Sequence, residues 1–219
     1  MNKMTIIAGA IALAATGAAQ AGVLFEEMHK NTIDLANTNW MESVNVTQFD
    51  DQGGLRTLMQ VMIILDGHVE GTAAAESLDT APATINLSLG ATISLSLMGS
   101  DLVVVLPITM VSFNAASYDG TLDFMGSSGM TFNNLMADAS DMAKLTTGMD
   151  NLLPWIGVGS IKLDATAMGA STGSGAGNLF LQFSTLASAQ ITVIYKYIPT
   201  PGSFALLGIG GLCATRRRR

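Results

Sequence analysis

The sequence is short of the groups that do chemistry. It has one cysteine, Cys213, two histidines, His29 and His68, and only 12% charged residues. A single cysteine excludes an intramolecular disulfide, so a folded domain must be held by burial alone. Cys213 itself sits in an apolar C-terminal stretch and reads as small apolar filler. The two histidines lie far apart, and no Cys or His recurs at the short spacings of a zinc site. No serine stands in a Gly-x-Ser-x-Gly elbow; the nearest text, Gly173-Ser174-Gly175, is a glycine-rich turn. A Ser-His-Asp relay around His68 would need partners from distant parts of the chain. No enzyme is expected from this inventory.

Basic charge is scarce where a domain would lie. Of ten Lys and Arg, five are at the ends (Lys3 and Arg216 to Arg219), and all 17 carboxylates fall between Glu26 and Asp164. Five cations against 17 carboxylates leave the middle at −12. A nucleic-acid binder needs cations to neutralise phosphates, so no nucleic-acid partner is expected. An acidic, solvated surface is. What the chain does have is a hydrophobic share of 49% and 23 glycines, too apolar for a disordered chain.

Both ends read as addresses. Residues 1–21 run MNKMTIIAGAIALAATGAAQA. Lys3 gives a positive start, Ile6–Ala15 an apolar core, and Ala19-Gln20-Ala21 a small-x-small cleavage site. Together these are the parts of a secretory signal peptide, which implies Sec export and a signal peptidase cutting before Gly22. The run is too short and too alanine-rich for a retained span. The far end reads IPTPGSFALLGIGGLCATRRRR. Pro199 and Pro201 cannot continue a ladder. Ser203–Thr215 follows, uncharged and apolar, a short hydrophobic helix by its pattern, and four arginines close it. Arginine clusters resist translocation, so the order leaves a domain outside and the arginines inside. The segment is at the lower edge of a span, weakened by Gly208, Gly210 and Gly211, which suits a transient membrane anchor.

Pro199-Thr200-Pro201-Gly202, a short apolar helix and Arg216, Arg217, Arg218 and Arg219 together resemble a PEP-CTERM sorting signal. The family motif usually carries Glu where this chain has Thr200. The resemblance implies an exosortase-type membrane enzyme as a processing partner.

The middle is patterned with period two. In Ala83–Leu97 every odd position is apolar and no even one is, the signature of a strand with one buried and one wet face. Its length makes Gly90 a candidate bend or bulge. The alternation returns at Ala187–Tyr197. Leu55–Leu65 is apolar on both faces at its centre, Val61, Ile63 and Leu65 against Met62 and Ile64, as in a strand covered on both sides or one carrying an exposed apolar patch. Further strands are expected in Trp40–Phe49, Leu102–Phe113, Leu135–Leu145, Ile161–Ala167 and Leu179–Phe183. Turns are expected at Asp51–Gly54, Asp119-Gly120, Gly126–Gly129 and Gly169–Gly177, and one helical turn in Asp150–Ile156, broken by Pro154. The expected fold is all-β, an antiparallel, jelly-roll-like β-sandwich over residues 22–198, between a signal peptide (1–21) and a sorting tail (199–219).

Several local patterns in this middle resemble a choice-of-anchor E domain, an exported module. They are Asn39-Trp40, Gln48-Phe49-Asp50, Gly67 and Gly71 before Glu76, Asp79 leading into Ala81–Thr84, Tyr118–Phe124, Gly175–Asn178 and Thr192–Tyr195. The resemblance implies a surface or matrix location and supplies no catalytic residues.

Two further chemistries have candidate residues. Asp50 with Asp51, Asp119 with Asp123, and Asp138 with Asp141 could each offer hard oxygen ligands to calcium, although no EF-hand or repeat pattern appears. Otherwise no cofactor is expected. Trp40, Tyr118 and Trp155 are open to two fates: burial in a core with few large aromatics, or stacking on sugar rings. The function that follows is an exported, non-enzymatic structural or interaction protein of the cell surface or extracellular matrix. The alternative is a secreted carbohydrate-binding module with extracellular polysaccharide as partner.

Overall fold

The computed structural model describes residues 23–200. Ten strands fill it: β1 Phe25–Asn37, β2 Trp40–Thr47, β3 Arg56–Ser77, β4 Ala83–Leu97, β5 Ser100–Val105, β6 Ile108–Ala115, β7 Gly129–Thr146, β8 Ser160–Gly169, β9 Thr172–Ser174 and β10 Leu179–Pro199. One 3₁₀ turn, Leu153–Trp155, carries Pro154 in its first turn, where a missing N–H costs nothing. The expected signal peptide, Pro201, Gly202 and the hydrophobic and arginine tail lie outside the described residues.

The strands form a four-stranded sheet, ordered β1-β10-β3-β7, and a six-stranded sheet built on β2-β8-β4-β5, with β6 and β9 also paired to β4. All strand pairings are antiparallel. Counting β5 with β6 and β8 with β9 as interrupted single strands gives eight. The first then pairs with the eighth, the second with the seventh, the third with the sixth and the fourth with the fifth. This nested pairing, folded over into two sheets, is a jelly roll.

Period two explains the packing. In β4, Ile85, Leu87, Leu89, Ala91, Ile93 and Leu95 are all buried, as are Ala187, Ala189, Ile191, Val193 and Tyr195 of β10. These rows meet between the sheets in one large apolar cluster, and a smaller one forms around Ala73, Ala75, Ile85, Leu87 and Phe113. At roughly 1.5–3 kcal/mol per large side chain buried, such rows are the main stabilising term of a disulfide-free fold. An aromatic plug closes one end of the core. Trp155 packs edge-on to Tyr195 at 6.4 Å, Phe49 lies 5.1 Å from Tyr197, and the Arg56 guanidinium covers Phe49 at 4.6 Å. Tyr195 donates to Thr47 O at 2.8 Å, and burial pushes its phenol well above the ordinary value.

Several expectations are corrected. Leu102–Phe113 is two strands, because Pro107 has no N–H to give a ladder, and Leu106-Pro107 separates β5 from β6. Leu179–Phe183 and Ala187–Tyr197 are parts of one strand, β10, and β9 interrupts the Gly169–Gly177 turn. Gly90 is a place of close approach. The register of β4 runs through it, while β6 gives way to β5 on one side and β9 to β8 on the other. A Cβ there would lie 3.0 Å from Pro107 O. The apolar outer positions of β3, Met62 and Ile64, are half-buried and form a patch with Ile194 and the exposed Met28 and Met142.

Candidate functional site

The outer face of the four-stranded sheet carries two cross-strand rows of polar side chains. Strand register sets Gln190, Asp66 and Ser140 in one row, with Thr32 at its edge, and Ser188, His68 and Asp138 in the next. Alternation turns their side chains outward while Gly67, between Asp66 and His68, faces the core. There a Cβ would meet Val105 Cγ2 at 2.7 Å and Ile93 Cδ1 at 2.9 Å, so glycine lets the two sheets close. The rows line a shallow groove of about 470 Å³.

Its polar groups are largely committed to one another. Ser140 Oγ donates to Asp66 Oδ1 at 2.6 Å, and Gln190 Nε2 to Asp66 Oδ2 at 3.4 Å. His68 has Nδ1 at 2.7 Å from Asp138 Oδ1 and Nε2 at 3.6 Å from Glu70 Oε2. The hydrogen bond that the His68 ring donates to Asp138 is the main cause that raises its pKa, against some desolvation. A carboxylate near each ring nitrogen favours the charged form of the imidazole. Ser140 is turned to Asp66, so the three residue types of a hydrolase relay are present here without its geometry.

A second groove, of about 430 Å³, lies on the outer face of the other sheet, between β6 and β9 over β4. Asn86, Ser88, Met110, Ser112, Thr172 and Ser174 line it, and none is charged. Ser88 Oγ and Thr172 Oγ1 are 2.8 Å apart. Even positions of β4 continue the same surface: Ser94 bonds Thr166 at 2.8 Å and Thr84 donates to Asn114 at 2.9 Å.

The aromatic candidates do not converge. Trp155 is fully buried, with no acceptor at Nε1, and so offers no ring face to a sugar. Trp40 is half-buried and donates from Nε1 to Ala187 O at 3.2 Å. Tyr118 is half-buried in the β6–β7 connection, its N–H on Asp79 O.

The acidic candidates cap their own turns. Asp50 accepts from Gln52 N, Asp51 from Gly53 N, Asp119 from Thr121 N and Asp123 from Met125 N, all between 2.8 and 3.0 Å. Asp138 is on His68, and Asp141 accepts from Met142 N at 2.8 Å. Among the described residues no three His, Cys, Asp or Glu side chains come together as a metal cage.

Of the sorting residues, Pro199 closes β10 opposite Arg56, and Thr200 donates from N to Leu55 O at 2.9 Å and from Oγ1 to Gly54 O at 2.8 Å. Ala19, Ala21, Pro201, Gly202 and Arg216 to Arg219 are outside the described residues.

Glu76, Asp79, Gly177 and Asn178 are tied into a knot at the opposite end of β3. Ser128 Oγ donates to Glu76 Oε1 at 2.6 Å, and Gly177 N and Asn178 N donate to Asp79 at 2.6 and 3.1 Å. Sequence reasoning missed the His68–Asp138 pair and both grooves, which depend on strand register and carry no local spacing signal.

The class defined by fold and faces is an antiparallel jelly-roll sandwich with a polar groove on each outer face. No family model matches the chain, and no curated protein does. Among solved structures it is similar to the infectious bursal disease virus VP2 subviral particle, with 16% identity, 89% of this chain and 46% of that chain covered, and a TM-score of 0.20. Another is the same virus's Gx strain, at 14% identity, 82% and 42% coverage, and a TM-score of 0.18. The chain spans less than half the length of these capsid chains.

Proposed function

We propose that this is an exported, non-enzymatic structural or interaction protein of the cell surface or extracellular matrix, delivered by Sec export and sorted through its C-terminal signal by an exosortase-type enzyme. The observation that carries this reading is where the sandwich starts and stops. Its described strands occupy Phe25–Pro199, so loss of residues 1–21 and of the tail beyond Gly202 would leave each of them in place. Targeting segments that are to be discarded must be separable from the core in this way. The test is mass spectrometry of the mature protein from fractionated cells. A surface or extracellular product beginning at Gly22 and lacking Arg216–Arg219 is expected. A cytosolic product that retains Met1 overturns the reading.

A second reading, a secreted carbohydrate-binding module, is favoured by the uncharged, hydroxyl- and amide-lined groove at Asn86, Ser88, Ser112 and Thr172. Hydroxyls and amides match sugar hydroxyls, and Met110 supplies an apolar platform. Glycan-array binding lost in Asn86→Ala and kept in Trp40→Ala would support it; binding unaffected by both would refute it.

A further inference from the structure

We infer that the end of the sandwich from which the C-terminal strand leaves is a membrane-docking surface, seated on the interfacial zone of the bilayer that the tail enters. The inference rests on the reading of residues 203–215 as a membrane-entering segment.

Six large apolar side chains protrude at this end. Leu24 leads into β1, Leu55 stands in the β2–β3 turn, and Met98 is at the tip of the β4–β5 hairpin. Met149, Leu153 and Val158 come from the β7–β8 connection. Their exposures run from 41% to 91%. Register puts them at one end. Phe25 pairs with Tyr197, Ile198 with Thr57, Thr47 with Ser160, and Ser96 with Asp164. Gly157 N donates to Phe49 O and Thr147 N to Met59 O, each at 2.9 Å, which holds the β7–β8 connection beside the β2–β3 turn.

The Met98 hairpin breaks a local rule. Met98 and Gly99 have φ of 51° and 82°. Two successive left-handed residues make the tight hairpin turn that Asn-Gly fills without strain. A methionine there, 83% exposed, places a flexible apolar side chain at a tip where folding alone would favour a polar one.

The chain's exit chooses the occupant. Thr200 is bonded to Gly54 and Leu55, and the apolar run begins at Ser203. Three extended residues span only about 10 Å. A domain whose tail enters a bilayer is therefore held with this end, and no other, against the membrane surface.

Charge says what kind of contact it is. Among the carboxylates here, Asp50, Asp51 and Asp150 each accept a backbone N–H, from Gln52, Gly53 and Thr146, while Asp101, opposite Ser96 in the Met98 hairpin, is exposed. The cations here are engaged by the protein: Arg56 is taken up by Glu27, Asp50 O and the Phe49 ring, Lys162 by Asp164 and Lys196 by Glu26. Nothing here seeks anionic headgroups, so docking is by shallow insertion of apolar side chains and does not depend on lipid charge.

The test uses the full chain with Cys213→Ser and one new cysteine, Met98→Cys, Leu153→Cys or Val158→Cys, carrying an environment-sensitive fluorophore. Met110→Cys, on the outer face of the six-stranded sheet, is the control. Each is mixed with phosphatidylcholine vesicles, with and without phosphatidylglycerol. All should float with the vesicles. Labels at 98, 153 and 158 should shift to the blue and be quenched by a nitroxide-bearing lipid, equally in both compositions, while 110 is unchanged. If the chain floats but all four labels behave alike, the docking surface is refuted and the tail reading stands. Labels already blue-shifted without lipid would show the end covered by a second copy or by the tail, which also overturns it. A chain that does not float refutes the tail reading and the inference with it.

Discussion

His68 and Trp155 show how a side chain's fate here depends on what the sheets bring to it. The hydrogen bond to Asp138 favours the charged form of the His68 imidazole, so its folded pKa stands above the ordinary value. A raised pKa means a stabilising contribution that is complete below about pH 6.5 and is lost as pH climbs through the folded value. His68 is 31% and Asp138 81% exposed, so solvent screens the pair. The effect belongs to the β3–β7 pairing more than to global stability. By NMR titration His68 should titrate above an unstructured histidine, and Asp138→Asn should bring it down; an unshifted midpoint in the variant would refute the assignment. Trp155 is the opposite case, sealed in and with an unpartnered indole N–H. Trp155→Ala should cost about 3–5 kcal/mol in a urea melt. Trp155→Phe should cost clearly less, since it keeps most of the ring contact and removes the orphaned donor.

At the scale of strands and turns, legibility followed the cleanness of the alternation. Ala83–Leu97 could be read to its last residue because β4 has one dry and one wet face throughout. β1 escaped notice because its inward positions include Glu27, His29 and Asn31, tolerated at a sheet edge where partial burial and neighbours such as Arg56 satisfy them. The far half of β3 was hidden by Gly67, Gly71 and the run Ala73–Ala75, which are small on both faces. The grooves were illegible for another reason: Asp138 reaches His68 across 70 residues only once β3 and β7 are in register. Gly71 faces a backbone, and a Cβ there would lie 1.9 Å from Ser184 O. Gly71→Ala must therefore push β10 away from β3, with an expected loss of at least about 1–3 kcal/mol in the same urea assay. The turn carboxylates are already bonded, so EGTA should leave Tm unchanged, and a rise of several degrees on adding calcium would reveal a site formed with other oxygens.

For the whole molecule, stability has one source, two apolar sheet faces pressed together, and reductant should leave the unfolding curve where it is. The nested pairing also sets the kinetics. β1 finds its partner β10 only across most of the chain, with Phe25 opposite Tyr197. Closing such loops before the contacts form is slow, so refolding should take on the order of seconds or longer in stopped-flow, with the hairpin of β4 and the interrupted strand β5–β6 ordering first. One consequence concerns the order of synthesis. The last strand to be made is an interior one: β10 sits between β1 and β3 and gives both of them their partner. Until the ribosome has finished it, β1 has no neighbour and β3 has only one. The growing polypeptide therefore stays open until β10 is made, and a product terminated before it can never close its sandwich.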